Sequence, residues 1–235
     1  MHLLVGTSGY SDKEWKGRFY PEKLSQKAML EYYAQRFSTV EINSSFRRMP
    51  EASVLKTWAQ QVPDGFRFAF KAPQAITHFK RLKNAAAATK DFLRAASAMK
   101  ERLGPLLFQL PPNFKKDLPR LKAFLRLVRK RRKIAFEFRH ASWFDDEVFD
   151  LLRAESIALC IADMDDAPRP PMVGTADWGY VRLRRKRYTR PQLAEWIERI
   201  RAQSWSEACV FFKHEETGTG PRFATRFLEL AAAQP

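Results

Sequence analysis

The chain has 235 residues, 45% of them hydrophobic and 13% aromatic, a composition that excludes intrinsic disorder and is enough for a sizeable core. No apolar run reaches the roughly 20 residues needed to cross a bilayer, and the opening MHLLVGTSGY lacks the layout of a secretory signal. Lysine and arginine number 42 against 26 acidic residues, a formal charge of +16 that draws polyanions without naming one.

Read in chain order, short runs rich in Val, Ile, Leu and Phe alternate with stretches whose apolar residues recur at helical spacing. LLVGTS (3–8) predicts a strand, and Leu30, Tyr33, Ala34 and Phe37 mark the buried face of the helix behind it. TVEINSS (39–45) is followed by the stripe Val54, Leu55, Trp58, Ala59 and Val62, and FRFAFKA (66–72) by Phe92, Ala95, Ala96 and Met99. PLLFQL (105–110) precedes Leu121, Phe124, Leu125 and Val128; KIAFEFRH (133–140) and IALCIAD (157–163) read as the next two strands. After Asp163 comes DDAPRPPMVGTAD, rich in Pro and Asp, so the sixth helix is expected to be weak or replaced by a loop. GYVRLR (179–184) leads to a helix whose start carries Thr189 and Gln192 at capping-box spacing and Pro191 in the first turn. Its buried face is Leu193, Trp196, Ile197 and Ile200; EACVFFKH (207–214) and the stripe Phe223, Phe227, Leu230, Ala231 close the series.

Eight strands, nearly all followed by a helix, predict an α/β protein: a closed (β/α)₈ TIM-like barrel in a single domain over 1–235. An open doubly wound sheet is the alternative. Cys160 and Cys209 lie inside apolar runs and read as free thiols of a reducing compartment, hence a cytoplasmic protein.

A β/α barrel works at the carboxyl ends of its strands, and alternation along each strand says which side chains face the axis. Glu41 and Asn43 share a face against Val40 and Ile42, and Ala69 and Lys71 oppose Phe68 and Phe70. Leu107 and Gln109 oppose Phe108 and Leu110; Ala135, Glu137 and Arg139 oppose Phe136 and Phe138. The bulky apolar sets suit the helix layer, which turns the polar sets inward. Asp163, Arg182, Arg184 and Lys213 end the last three strands in a comparable way. One such residue is usually a satisfied structural group; a ring of them at one end of a barrel predicts a functional pocket.

GTSGYSDKEWKGRFYP (6–21), FSTVEINSSFRRMP (37–50), FAFKAPQAITH (68–78), GPLLFQLPP (104–112) and AFEFRHASWF (135–144) resemble the successive motifs of the YecE-like family, a domain of unknown function numbered seventy-two. The resemblance runs over almost the whole chain. It implies a TIM barrel and no established activity. The positions it carries over are Trp15, Tyr20, Glu41, Asn43, Ser45, Lys71, His78, Gln109, Glu137, Arg139, His140 and Trp143. The chain departs from the pattern at YVRLRRKRY (180–188) and FFKHEETG (211–218), so two sides of the mouth are altered.

Glu41 and Glu137 are the best carboxylate pair, able in principle to serve as acid and base, or as nucleophile and acid on a glycoside. The plainer alternative is that each forms an ion pair with Lys71 or Arg139. His78 and His140, in loops just beyond strands, suit proton transfer near neutral pH, or equally a local hydrogen bond. Trp15, Tyr20 and Trp143 read either as an aromatic wall for a sugar or base, or as a seal on the barrel top.

No dinucleotide or P-loop motif is present, none of the four His shows metal-helix spacing, and no metal site is assigned. The cofactor stays open, with a divalent metal on Glu41, Glu137 and Asp163 as an alternative. RKRRK (129–133) falls on the opposite end of the barrel, whereas RLRRKRY (182–188) leaves the seventh strand toward the mouth and points to an anionic ligand. The expected protein is therefore an enzyme (hydrolase, lyase or isomerase) on a small anionic or sugar-like substrate. Glu41, Glu137, Lys71 and His78 are its candidate catalytic groups. Asn43, Gln109, Arg139, His140, Trp143, Asp163, Arg182 and Tyr20 are its candidate substrate contacts. The alternative is a basic barrel that binds nucleic acid without catalysis; neither reading involves a membrane.

Overall fold

The apolar runs form eight parallel strands that close on themselves in chain order, with β1 paired to both β2 and β8. They are β1 His2–Ser8, β2 Thr39–Ile42, β3 Arg67–Lys71, β4 Leu103–Gln109, β5 Ile134–Glu137, β6 Ala158–Asp163, β7 Trp178–Leu183 and β8 Glu207–Phe212. The computed structural model describes residues 1–128, 132–213 and 218–233. Closure rules out the open-sheet alternative. Helices α1 Met29–Ala34, α2 Ala52–Gln60, α3 Ala86–Ala96, α4 Leu118–Val128, α5 Asp146–Ala154, α6 Arg190–Arg201 and α7 Thr219–Ala233 pack outside. No helix of the described residues is long and apolar enough to cross a membrane.

The β6–β7 connection, 164–177, contains no helix, as its Pro and Asp content predicts. Met172 and Val173 pack against the outer core instead, and the Thr175 hydroxyl ties the loop down by donating to Ile157 O and accepting from Leu159 N, both at 2.7 Å. At α6 the capping box forms as its spacing predicts: Thr189 Oγ1 accepts from Gln192 N, and Gln192 Oε1 accepts from Thr189 N at 2.9 Å.

Strand alternation sorts the apolar residues into two layers. The outward set, including Val40, Phe68, Phe70, Phe108, Phe136, Ile161 and Val181, joins the helix faces in the main core. The inward set is Leu4, Ala69, Leu107, Ala135, Ala158, Cys160, Ala162, Trp178, Tyr180, Cys209 and Phe211. Inside the barrel, large rings from β7 and β8 complement alanines from β3, β5 and β6 to fill the interior. Gly6 is obligatory for closure, because a Cβ there would lie 1.9 Å from Thr39 O on the neighbouring strand.

Several strands stop short of their runs. β2 ends at Ile42 and β5 at Glu137, so Asn43, Ser45, Arg139 and His140 stand on the first residues of the loops above the sheet. Position 214 and residues 129–131, from the eighth strand and the RKRRK run, lie outside the described residues.

Candidate functional site

At the carboxyl end, the inward phase turns from apolar to polar or charged at Ser8 of β1, Glu41 of β2, Lys71 of β3, Gln109 of β4, Glu137 of β5 and Arg182 of β7, whereas β6 stays apolar through Ala162. Glu41 and Glu137 are fully buried, and one guanidinium, that of Arg182, bridges them. Arg182 Nη2 donates to Glu41 Oε1 at 2.7 Å, and Nη1 donates to Glu137 Oε2. Ser8 and Tyr180 hydroxyls donate to the two oxygens of Glu41, each at 2.6 Å, and Arg139 Nε donates to Glu137 Oε1 at 2.8 Å. The strands dictate this meeting. Ser8 is the register partner of Glu41 on β1 and β2, and Tyr180 precedes Arg182 by two residues in the same inward phase. Ser8 and Tyr180 were not singled out from the sequence, although that shared phase is a usable signal for Tyr180.

The electrostatics follow from the geometry. Burial would push Glu137 up, but Arg182, Arg139 and Arg184 outweigh it and hold its carboxyl well below the usual range. Burial likewise opposes ionisation of Glu41, and Arg182, with the Ser8 and Tyr180 hydrogen bonds, overcomes it. Both carboxylates are therefore ionised, and a guanidinium fills the space between them. They do not face each other across open space as an acid and base would, and their shared partner is Arg182 rather than Lys71.

Lys71 stands apart from the Glu41–Arg182–Glu137 cluster. Its ammonium lies 4.0 Å over the Phe46 ring and forms no ion pair among the described residues. Burial, and then the charge of Arg182, bring it down to about 7. His78, in a π-helical turn Ala75–Phe79 after β3, is brought down to about 4 by burial and by Lys71 and Arg139. It is neutral at physiological pH, with Nδ1 2.9 Å from the Thr77 hydroxyl. Arg184 is lowered to about 10 by burial and by Arg182. Asn43 Nδ2 and Gln109 Oε1 are buried at the ends of β2 and β4 and find no hydrogen-bond partner among the described residues.

Other expected residues are elsewhere. Asp163 is corrected: the inward residues of β6 are Ala158, Cys160 and Ala162, so Asp163 faces the helix layer with Leu159 and Ile161. There it accepts from Arg185 Nε at 2.8 Å and Tyr188 Oη at 3.0 Å. It cannot join Glu41 and Glu137 on a metal, and the described residues contain no group of three or more acidic, His or Cys side chains suited to one.

Trp143 and Tyr20 are corrected too. Trp143 is fully buried, stacked on Phe138 at 4.7 Å between centroids, and its Nε1 donates to Phe114 O at 2.6 Å. Tyr20 stacks on Trp15 in the outer core, and its hydroxyl donates to Tyr10 O. These rings seal the outer shell and form no wall in the mouth. His140 caps the short turn Ala141–Trp143, its Nδ1 accepting from Ser142 N at 3.2 Å. Ser45 is structural, donating to Ile42 O and Lys71 O at 2.7 Å.

A closed eight-stranded parallel barrel with a charged ring at the carboxyl ends of its strands defines the class: a TIM barrel, whose functional groups gather at this end. Residues 4–235 match the family described as "Protein of unknown function DUF72", and the chain belongs to that family.

The crystal structure of a DUF72 family protein (TM1631) from Thermotoga maritima MSB8 superposes with a TM-score of 0.87 at 27% identity, covering 99% of this chain and 100% of that one. A DUF72 family protein (EF0366) from Enterococcus faecalis V583 shares the fold, with a TM-score of 0.81 at 18% identity over 98% of this chain and 95% of that one. Among sequence relatives, the UPF0759 protein YecE of Escherichia coli (strain K12) is 34% identical over 116 residues, 49% of this chain and 43% of that protein. The UPF0759 protein YunF of Bacillus subtilis (strain 168) is 25% identical over 174 residues, 68% of this chain and 60% of that protein. The chain thus spans less than two thirds of the length of either of these relatives.

Proposed function

We propose that the mouth is the active site of an enzyme acting on a small anionic or sugar-like substrate. The observation that carries this reading is the Lys71 amino group: at the open end of β3, beside Arg182 and Arg139, without a carboxylate partner among the described residues and brought down to about 7. At neutral pH much of this amine is unprotonated, the form that accepts a proton or adds to a carbonyl. Lyase or isomerase chemistry follows more directly from such an amine than hydrolysis does. Arg139 and Arg184 supply positive charge for an anionic group, and neutral His78 offers a hydrogen-bonding ring beside the amine. Asn43 Nδ2 and Gln109 Oε1, a donor and an acceptor without a partner among the described residues, suit the hydroxyls of a ligand. Glu41, Glu137 and Arg182 act as a fixed charge cluster that holds this field in place.

The test is to incubate the protein with a cell metabolite extract and follow depletion by mass spectrometry, with Lys71→Met as the control. An anionic or carbonyl-bearing metabolite should be consumed by the wild type and spared by the variant. Borohydride should fix a carbonyl substrate onto the Lys71 peptide when addition is the route. No depletion, or equal depletion by both proteins, overturns the reading.

A second reading, a nucleic-acid-binding barrel without catalysis, is favoured by the net charge of +16. It requires salt-dependent binding of generic duplex by wild type and Lys71→Met alike, and no metabolite depletion.

A further inference from the structure

Beside the mouth, between the end of β7 and the first turns of α7, runs an open groove of about 900 Å³. Its walls carry six cations, Arg184, Lys186, Arg187, Lys213, Arg222 and Arg226, and no acidic side chain among the described lining residues. Arg184, Lys186, Arg187, Arg222 and Arg226 form no ion pair among the described residues, although exposed acids pair readily elsewhere on the surface. Arg222 and Arg226 stand one helical turn apart, a like-charge spacing that weakens a helix. The fold also holds the loop between them and the mouth in place. Buried Asp163 bonds Arg185 and Tyr188, and Asp165 accepts from the backbone N of Lys186 at 3.0 Å rather than from its ammonium. Asp163 neutralises Arg185, whereas Arg184, Lys186 and Arg187, which line the groove, are left without an ion pair among the described residues. Such a concentration of positive charge opposes folding and is offset when an anion is bound.

We propose that this groove is the phosphate subsite of the mouth, holding the phosphate or pyrophosphate group of a phosphorylated small substrate whose other end reaches past Arg184 to Lys71. The inference rests on the enzymatic reading of the mouth and names its substrate class. Arg184 joins the two regions: it lines the groove, and as the inward position after Arg182 it lies in the field of Glu137 and Arg182. The volume falls within the range of small-ligand sites, and guanidinium groups match phosphate oxygens two at a time. A nucleic-acid strand is the poorer occupant. The two groove rings, Tyr188 and Phe223, are only 4% and 5% exposed and pack edge-to-face on each other at 5.6 Å, so no ring stands free for a base to stack on.

Calorimetry with inorganic pyrophosphate at low salt tests the proposal on the full chain. Wild type should bind one pyrophosphate per chain. The double variant R222A/R226A, and separately Arg187→Ala on the opposite wall, should weaken binding about tenfold or more with the fold retained. Lys71→Met should bind pyrophosphate like the wild type, and saturating pyrophosphate should suppress the wild type's metabolite depletion. Absent binding, binding indifferent to both groove variants, or undiminished depletion with pyrophosphate bound overturns the proposal. So does a short single-stranded oligonucleotide that displaces pyrophosphate and binds more tightly with steep salt dependence. Pyrophosphate binding that the groove variants abolish, without depletion of any metabolite, would mark failure of the active-site reading instead: the groove would stand as an anion site but not as part of a substrate site.

Discussion

Arg182 holds together two carboxylates that would otherwise repel each other in a closed interior. Arg182→Met leaves Glu41 and Glu137 buried and unpaired, and should cost about 3–5 kcal/mol at neutral pH in a denaturant titration. The pH dependence separates this cause from lost packing. In the wild type the folded Glu137 is held below its ordinary value of 4.5, so its contribution is present above that value and is lost as pH falls below it. In the variant, burial and mutual repulsion raise both carboxyls, so the deficit should shrink on acidification as each takes up a proton. A deficit constant with pH would mean that packing, not charge, had been lost.

Lys71 gives the opposite test. Its folded value of about 7 against an ordinary 10.5 means that only the unfolded chain holds that proton between those values, so stability from this group rises with pH across the window. Lys71→Met should raise the melting temperature most below about pH 7, with the gain fading toward about pH 10. A gain that does not fade would show that the amine is not desolvated.

At the scale of elements, the β6–β7 connection does the work of a helix with one hydroxyl and two apolar side chains. Met172 and Val173 cover part of the outer core, and Thr175 supplies the polar partners that Ile157 and Leu159 would otherwise lack. Thr175→Val keeps the shape and removes both bonds, and should cost about 1–3 kcal/mol for each buried group left unpaired. Thr175→Ser should recover most of this in thermal denaturation. A valine variant as stable as the wild type would mean that the loop is held by its apolar contacts alone. The same connection places Asp163, at the end of β6, beneath the loop after β7, where it organises the cationic groove wall rather than the mouth.

Across the whole molecule, 42 basic residues against 26 acidic ones leave the surface under self-repulsion. Raising salt should therefore raise the melting temperature, because screening beyond about 10 Å relieves repulsion between exposed cations while the buried Glu41–Arg182–Glu137 cluster is little affected. Calorimetric scans over a salt series read this directly; a flat or falling curve would show that surface repulsion does not limit stability.

Much of the fold was legible in the sequence because each strand residue faces one of two surroundings, and period two records which. The Phe positions of β3, β4 and β5 faced the helices, and Glu41, Lys71, Gln109 and Glu137 therefore faced the axis. Asp163 misled for a definable reason: its place at a strand end was counted while its phase, shared with Ile161, was not. Tyr20 and Trp143 were open to two readings, since an aromatic residue in a loop looks alike whether it lines a pocket or plugs a shell. Only closure of the barrel decided the rest. Arg182 meets Glu41 across 141 residues of sequence, and Tyr180 meets it across 139. Lys71 has no ion pair among the described residues because Arg182 took both carboxylates. Local periodicity specifies which way a side chain points, but which charges meet depends on distances around a ring, and those are set only when the first strand pairs with the last.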